Sequence, residues 1–154
     1  MRLNPDVLDR PYYSLALRPA DAAVRVAREL LKAALAEWDA SHLADDAALV
    51  ASELVTNAVR CARSVVMTVR AGDAGRITLE VWDDSPEPPV PRGDDPTGGC
   101  GRGLVIVEAL ADVWGWGPAD GGKCVWAVLG THGTERTERT ERTDGREGAG
   151  QERE

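Results

Sequence analysis

The chain has 154 residues, of which 43% are hydrophobic and 29% charged, and its formal net charge at pH 7 is −8. These totals suit one globular domain, and the negative charge argues against DNA or RNA as the main partner, because Lys and Arg drive phosphate binding by releasing counterions. No apolar run reaches the length of a membrane span, and the N-terminal residues contain no apolar signal segment. We therefore expect a cytoplasmic protein without membrane contact.

The cysteines predict neither a disulfide framework nor a zinc site. Cys61, Cys100 and Cys124 are odd in number and widely spaced, and the two histidines, His42 and His132, are remote from them along the chain. Metal-binding cysteines usually occur in closely spaced pairs. We expect three free thiols.

The first elements follow from apolar spacing. Residues 1–11 contain two prolines and no periodicity, which predicts a loose N-terminal arm. Alternation from Tyr13 to Leu17 predicts a strand. Apolar residues three and four apart predict a helix from Ala22 to Trp38, with Asp21 as its N-cap.

A second helix and a hairpin are predicted next. The helix begins at Asp45 or Asp46, which suit its positive N-terminal end, and runs to about Arg63. Alternating apolar residues between 65 and 81, interrupted by a Gly-rich turn at 72–75, predict two antiparallel strands.

The third part of the domain contains a long loop, a helix and two strands. Residues 85–97 are rich in Pro, Gly and Asp and predict a loop. A helix is predicted over 104–113 and strands over 114–116 and 123–129, joined by a turn at 117–122. This order of elements indicates a two-layer α+β sandwich.

The C-terminal segment, residues 131–154, repeats Thr-Glu-Arg three times and then continues as a polar Gly/Glu/Arg tail. It has almost nothing apolar to bury, so we predict a disordered tail. The folded domain is expected to occupy residues 12–130.

Glu53 and Asn57 lie four residues apart in an otherwise apolar helix, so both side chains share one helix face. One interpretation is a solvent-facing pair or a local hydrogen bond. The other is a site in which Asn57 gives an oxygen to Mg²⁺, which needs few protein ligands, and Glu53 acts as a general base.

Two glycine-rich segments invite a phosphate-binding interpretation. The first, at 117–123, nearly matches the P-loop pattern, but Cys124 occupies the position of the Mg²⁺-binding Ser or Thr. A P-loop also precedes a helix, whereas a strand is predicted after this segment. We reject that interpretation. The second, Gly99 to Gly103, opens a helix whose backbone amides could hold an anion, although a flexible hinge would have the same composition.

Asp83 stands at the end of a predicted strand. A carboxylate there can accept a hydrogen bond from an exocyclic amine such as that of adenine. The alternative is an ordinary strand terminator beside a turn.

Taken together and in this order, the motifs resemble those of the histidine-kinase-like (GHKL, Bergerat-fold) ATPases. The resemblance spans about Tyr13 to Leu129 and is carried by an N box, Glu53-Leu-Val-Thr-Asn57-Ala, and by three glycine boxes: Asp83-Asp84-Ser85, Gly99-Cys-Gly101-Arg-Gly103-Leu104 and Gly121-Gly122-Lys123-Cys124-Val125. The segment 101–115 resembles small single-domain actinobacterial proteins related to the anti-sigma-factor serine kinases.

The resemblance implies a Bergerat-type sandwich, with a mixed, mostly antiparallel sheet and helices on one face, and it implies ATP and Mg²⁺ as cofactors. Glu53 would be the catalytic base, Asn57 the Mg²⁺ ligand and Asp83 the adenine contact. The phosphate cradle and lid hinge would comprise Gly99, Gly101, Arg102, Gly103 and Leu104.

The chain departs from the family pattern in two places. The first glycine box reads Asp-Asp-Ser-Pro and lacks the usual glycines. Cys124 replaces the threonine often found beside the adenine, which removes a strong hydroxyl hydrogen bond. A redox switch using Cys100 and Cys124 is a further hypothesis, and small side chains that simply fit are the favoured alternative.

The functional expectation from this resemblance is an anti-sigma-type regulator. It would bind a sigma factor and phosphorylate a Ser or Thr of an anti-anti-sigma (antagonist) protein, and it would form a homodimer. Two alternatives remain: a nucleotide-responsive binding module without kinase turnover, which would switch a surface through the 85–97 loop, and an interaction domain that binds no nucleotide.

Overall fold

The computed structural model describes residues 9–89 and 102–130, with only the backbone at positions 102 and 103. Most of the predicted arm, the second half of the 85–97 loop and the predicted tail lie outside these residues. Within them, no helix has the length and apolarity needed to cross a bilayer.

The described chain forms five strands and three α-helices, which we number in chain order. The elements are β1 (Tyr12–Leu17), α1 (Ala22–Glu37), α2 (Ala44–Cys61), β2 (Val65–Ala71), β3 (Ile77–Asp83), α3 (Arg102–Leu110), β4 (Val113–Ala119) and β5 (Gly122–Leu129). Short 3₁₀ turns precede α2 and join β2 to β3.

The five described strands form one sheet in the order β1-β2-β3-β5-β4, and every neighbouring pair is antiparallel. The prediction of a two-layer α+β sandwich is confirmed, but the sheet is antiparallel throughout and not mixed. Strand β5 lies between β3 and the edge strand β4, so the start of β5 is adjacent to the end of β3.

The hydrophobic core lies between the helices and one face of the sheet. Strands β2, β3 and β5 alternate between buried and half-buried residues, as expected for a sheet with one covered face. The buried face includes Met67, Leu79 and Ala127, which pack with Leu31 of α1 and Val55 of α2. Helices α1 and α2 pack against each other, and α2 also contacts β3 and β5.

Several predicted boundaries shift. Helix α2 ends at Cys61 and α3 at Leu110, and β4 extends to Ala119, so the β4–β5 turn is only Asp120-Gly121. Both turn residues have positive φ, the conformation that a two-residue hairpin turn requires. Asp21 precedes α1, but its side chain makes no capping hydrogen bond.

Candidate functional site

A cavity of about 140 Å³ opens between α2, the end of β3, the start of β5, the segment after β3 and the first turn of α3. Its walls are mainly apolar and include Leu54, Val81, Leu104 and Val125. An apolar cavity of roughly 150 Å³ can hold a benzene ring, so this one has the size for a flat aromatic group.

Helix α2 contributes one side of the cavity through residues at helical spacing: Leu54, Asn57, Ala58 and Cys61. These positions recur every three or four residues and therefore form one stripe. Asn57 is half-buried and brings a carboxamide to the edge of an otherwise apolar wall. A carboxamide oxygen in this position can serve as a ligand to a hard cation.

Glu53 lies one helical turn before Asn57 and is half-buried. It is not among the residues that line the cavity. Its side chain is thus partly open to solvent, one helical turn from a residue that lines the cavity.

Asp83 ends β3 inside the cavity and is almost fully buried, with 1% of its surface exposed. Its Oδ1 accepts two hydrogen bonds, one from the backbone amide of Ser85 and one from Nζ of Lys123, each 2.9 Å long. Lys123, only 6% exposed, is directly opposite Asp83 in the β3–β5 register. The polar end of the cavity is thus a buried ion pair.

Cys124 does not line this cavity. Side chains alternate along a strand, and Cys124 pairs with Trp82 on the face of the sheet opposite to Asp83 and Lys123. Burial, together with the negative charges of Glu80 and Asp83, raises the pKa of the Cys124 thiol to about 11. Cys124 therefore lies apart from this cavity, and its protonated thiol weighs against the redox switch.

The start of α3 supplies the remaining described part of the site. The helix begins at Arg102, and Leu104 is buried in its first turn, where it lines the cavity. Gly99 and Gly101 lie outside the described residues, as does Cys100, and only the backbone is described at Arg102 and Gly103. The phosphate-cradle prediction therefore stays a prediction.

The described residues fit a nucleotide with a divalent cation better than a protein-held metal centre. Among residues 9–89 and 102–130, no group of three or more His, Cys, Asp or Glu side chains is placed to hold a metal ion. The apolar slot with its polar end fits a heteroaromatic base, and the carboxamide of Asn57 on the α2 wall fits a cation that takes most of its ligands from phosphates and water.

The sequence interpretation missed Lys123 as a site residue. The signal was present, because Val125, Ala127 and Leu129 predict the buried face of β5, and Lys123 shares their parity. Cys124 has the other parity, so placing it in the same site would require the opposite face of β5 to line the cavity.

Comparisons with known proteins concern the family and the fold. The family model for the histidine kinase-like ATPase domain matches residues 16–129. A solved structure of the RsbU and RsbW domains of Rv1364c from Mycobacterium tuberculosis is similar, with a TM-score of 0.59 and 23% identity over 77% of this chain and 32% of that chain. This chain thus spans about a third of that structure's length, and the likeness concerns the fold. No curated protein matches the chain significantly.

Proposed function

Because the chain belongs to the histidine kinase-like ATPase family, we propose that it binds ATP with Mg²⁺ in the cavity between α2 and the sheet. The observation that carries this proposal is the meeting of two distant motifs. Asn57 on α2 and Asp83 at the end of β3 line one cavity with Leu104 of α3.

Each residue has a distinct role in this proposal. Asp83 accepts a hydrogen bond from the base, and the apolar walls exclude water from the faces of the ring. The carboxamide oxygen of Asn57 is the protein ligand to Mg²⁺, and the amides at the start of α3 face the phosphates. The cation, when bound, neutralises charge on the phosphate oxygens.

We further propose that the protein is a serine/threonine kinase of the anti-sigma type, which binds a sigma factor and phosphorylates an antagonist protein. The resemblance of residues 101–115 to anti-sigma-factor serine kinases supports this role. Glu53, half-buried one helical turn from Asn57, would accept the proton of the attacking hydroxyl. A homodimer is part of the proposal by resemblance alone.

A calorimetric titration of ATP, with and without Mg²⁺, tests the nucleotide site in wild type and in Asn57→Ala. We expect binding to the wild type to tighten with Mg²⁺, and Asn57→Ala to lose that gain, about tenfold or more in affinity. Thr56→Ala is the matched control, because Thr56 is half-buried on the same helix and does not line the cavity. A wild type that binds no ATP would refute the nucleotide proposal.

Phosphate transfer from radiolabelled ATP to the antagonist proteins of the same genome tests the kinase step. Glu53→Gln is expected to retain ATP binding and to lose about 100-fold or more in transfer rate. The alternative is a nucleotide-responsive binding module without kinase turnover. ATP binding without transfer to any antagonist would support that alternative.

A further inference from the structure

The inward-facing residue pairs between β3 and β5 contain one charged pair. Ile77–Leu129, Leu79–Ala127 and Val81–Val125 are apolar, and the next inward pair is Asp83–Lys123. Burying two charges carries a desolvation penalty that their attraction often fails to offset. An apolar pair would therefore continue the core at least as well, and the charged pair occurs where the strands reach the cavity.

The charged pair presents an acceptor and a donor side by side at the polar end of a ring-sized apolar slot. A carboxylate only accepts hydrogen bonds and an ammonium only donates them. The pairing edge of adenine carries the complementary groups on neighbouring atoms, the 6-amino donor and the N1 acceptor. A base could therefore bridge the two side chains without separating them.

The ammonium group of Lys123 has more N–H donors than the described residues occupy. An ammonium has three N–H donors. Within the described residues, Nζ contacts Oδ1 of Asp83 at 2.9 Å and the carbonyl oxygen of Ser85 at 3.4 Å. One donor is left for a ligand, while the Ser85 amide holds the carboxylate in place.

We propose that Lys123 is a base-recognition residue, whose ammonium donates a hydrogen bond to N1 of adenine while Asp83 accepts one from the 6-amino group. The inference rests on the proposed ATP-binding function and adds to it a charged donor from β5. It takes the position beside the base that the sequence resemblance had assigned to Cys124, which lies on the other face of the sheet.

The test compares ATP with 1-deaza-ATP, in which a C–H replaces N1. Because a hydrogen bond from a charged donor is stronger than one between neutral groups, we expect wild type to bind the analogue roughly tenfold or more weakly. Lys123→Met, which removes the donor at similar length, should bind the two nucleotides equally. Cys124→Ser changes the neighbouring residue on the opposite face and should retain the wild-type ratio.

The possible failures are distinguishable. Equal binding of ATP and 1-deaza-ATP by the wild type overturns the inference, and so does an undiminished preference for ATP in Lys123→Met. A wild type that binds no ATP refutes the proposed function and this inference with it. If Lys123→Met does not fold, the wild-type comparison still decides, and Asp83→Asn/Lys123→Met supplies a variant in which no unpaired charge is buried.

Discussion

Among the glycines that the structure describes, Gly122 is the one at which an added methyl group meets the closest backbone contact. It opens β5, is buried, and lies against the end of β3. A Cβ built on Gly122 would be 1.9 Å from the carbonyl oxygen of Asp83 and 2.8 Å from the Cα of Asp84. Both contacts are with backbone, so no side-chain rotation relieves them.

The magnitude of the Gly122→Ala effect follows from this overlap. Real Cβ atoms essentially never approach another heavy atom within 3.0 Å, so the two strands must move at least about 1 Å apart at the Asp83–Lys123 pair. Overpacking of this kind costs about 1–3 kcal/mol or more, and we expect the upper end. For a domain of this size, about 3 kcal/mol corresponds to a fall in Tm of roughly 10 °C.

Thermal unfolding followed by circular dichroism, together with ATP titration, would measure both consequences. Gly117→Ala is the matched control, because a Cβ at Gly117, on the adjacent strand β4, meets no atom within 4 Å. Gly117→Ala should stay within about 0.5 kcal/mol of wild type. If Gly122→Ala unfolded at the wild-type temperature and bound ATP normally, this result would contradict the close backbone contact between Gly122 and the end of β3.

Three further predictions concern charge and ionisation. Lys123→Met leaves the Asp83 carboxylate buried without its cationic partner and should lower the free energy of unfolding by about 3–5 kcal/mol, measured by denaturant unfolding. The double variant Asp83→Asn/Lys123→Met should recover much of that loss. If the effects of the two substitutions simply added, the pairing would be contradicted. Because the pKa of the Cys124 thiol is raised to about 11, iodoacetamide at pH 7.5 should alkylate the exposed Cys61 well before Cys124. Mass spectrometry would measure the two alkylation rates, and equal rates would contradict the burial of Cys124. Backbone hydrogen bonds, led by the one from the amide of Ser64, lower the pKa of Asp84. The Asp84 carboxylate therefore stabilises the folded state at pH values above the usual carboxyl pKa. This stabilisation is lost as the pH falls through the lowered folded-state pKa. The Tm difference between wild type and Asp84→Ala should therefore shrink between pH 6 and pH 3, and a constant difference would refute this linkage.

Much of the local structure could be predicted from the sequence because it depends on short-range periodicity. Alternating apolar residues indicated the hairpin strands, and apolar residues three and four apart indicated α1 and α2. Boundaries were less accurate, as with α3, which ends at Leu110 and is followed by β4 after only Ala111 and Asp112. The positions of Asn57 and Asp83 at one cavity followed from motif resemblance and not from periodicity.

The sequence by itself thus determined which residues share a face of each helix or strand, since side-chain direction repeats every 3.6 or two residues. Only the tertiary structure decided which strands are neighbours, because strand pairing depends on contacts between distant segments. That pairing inserts β5 beside β3, sets Lys123 opposite Asp83 and turns Cys124 to the other face. The helix packing likewise brings Asn57 of α2 to the cavity that Asp83 lines, a meeting that the spacing of residues within one helix does not contain.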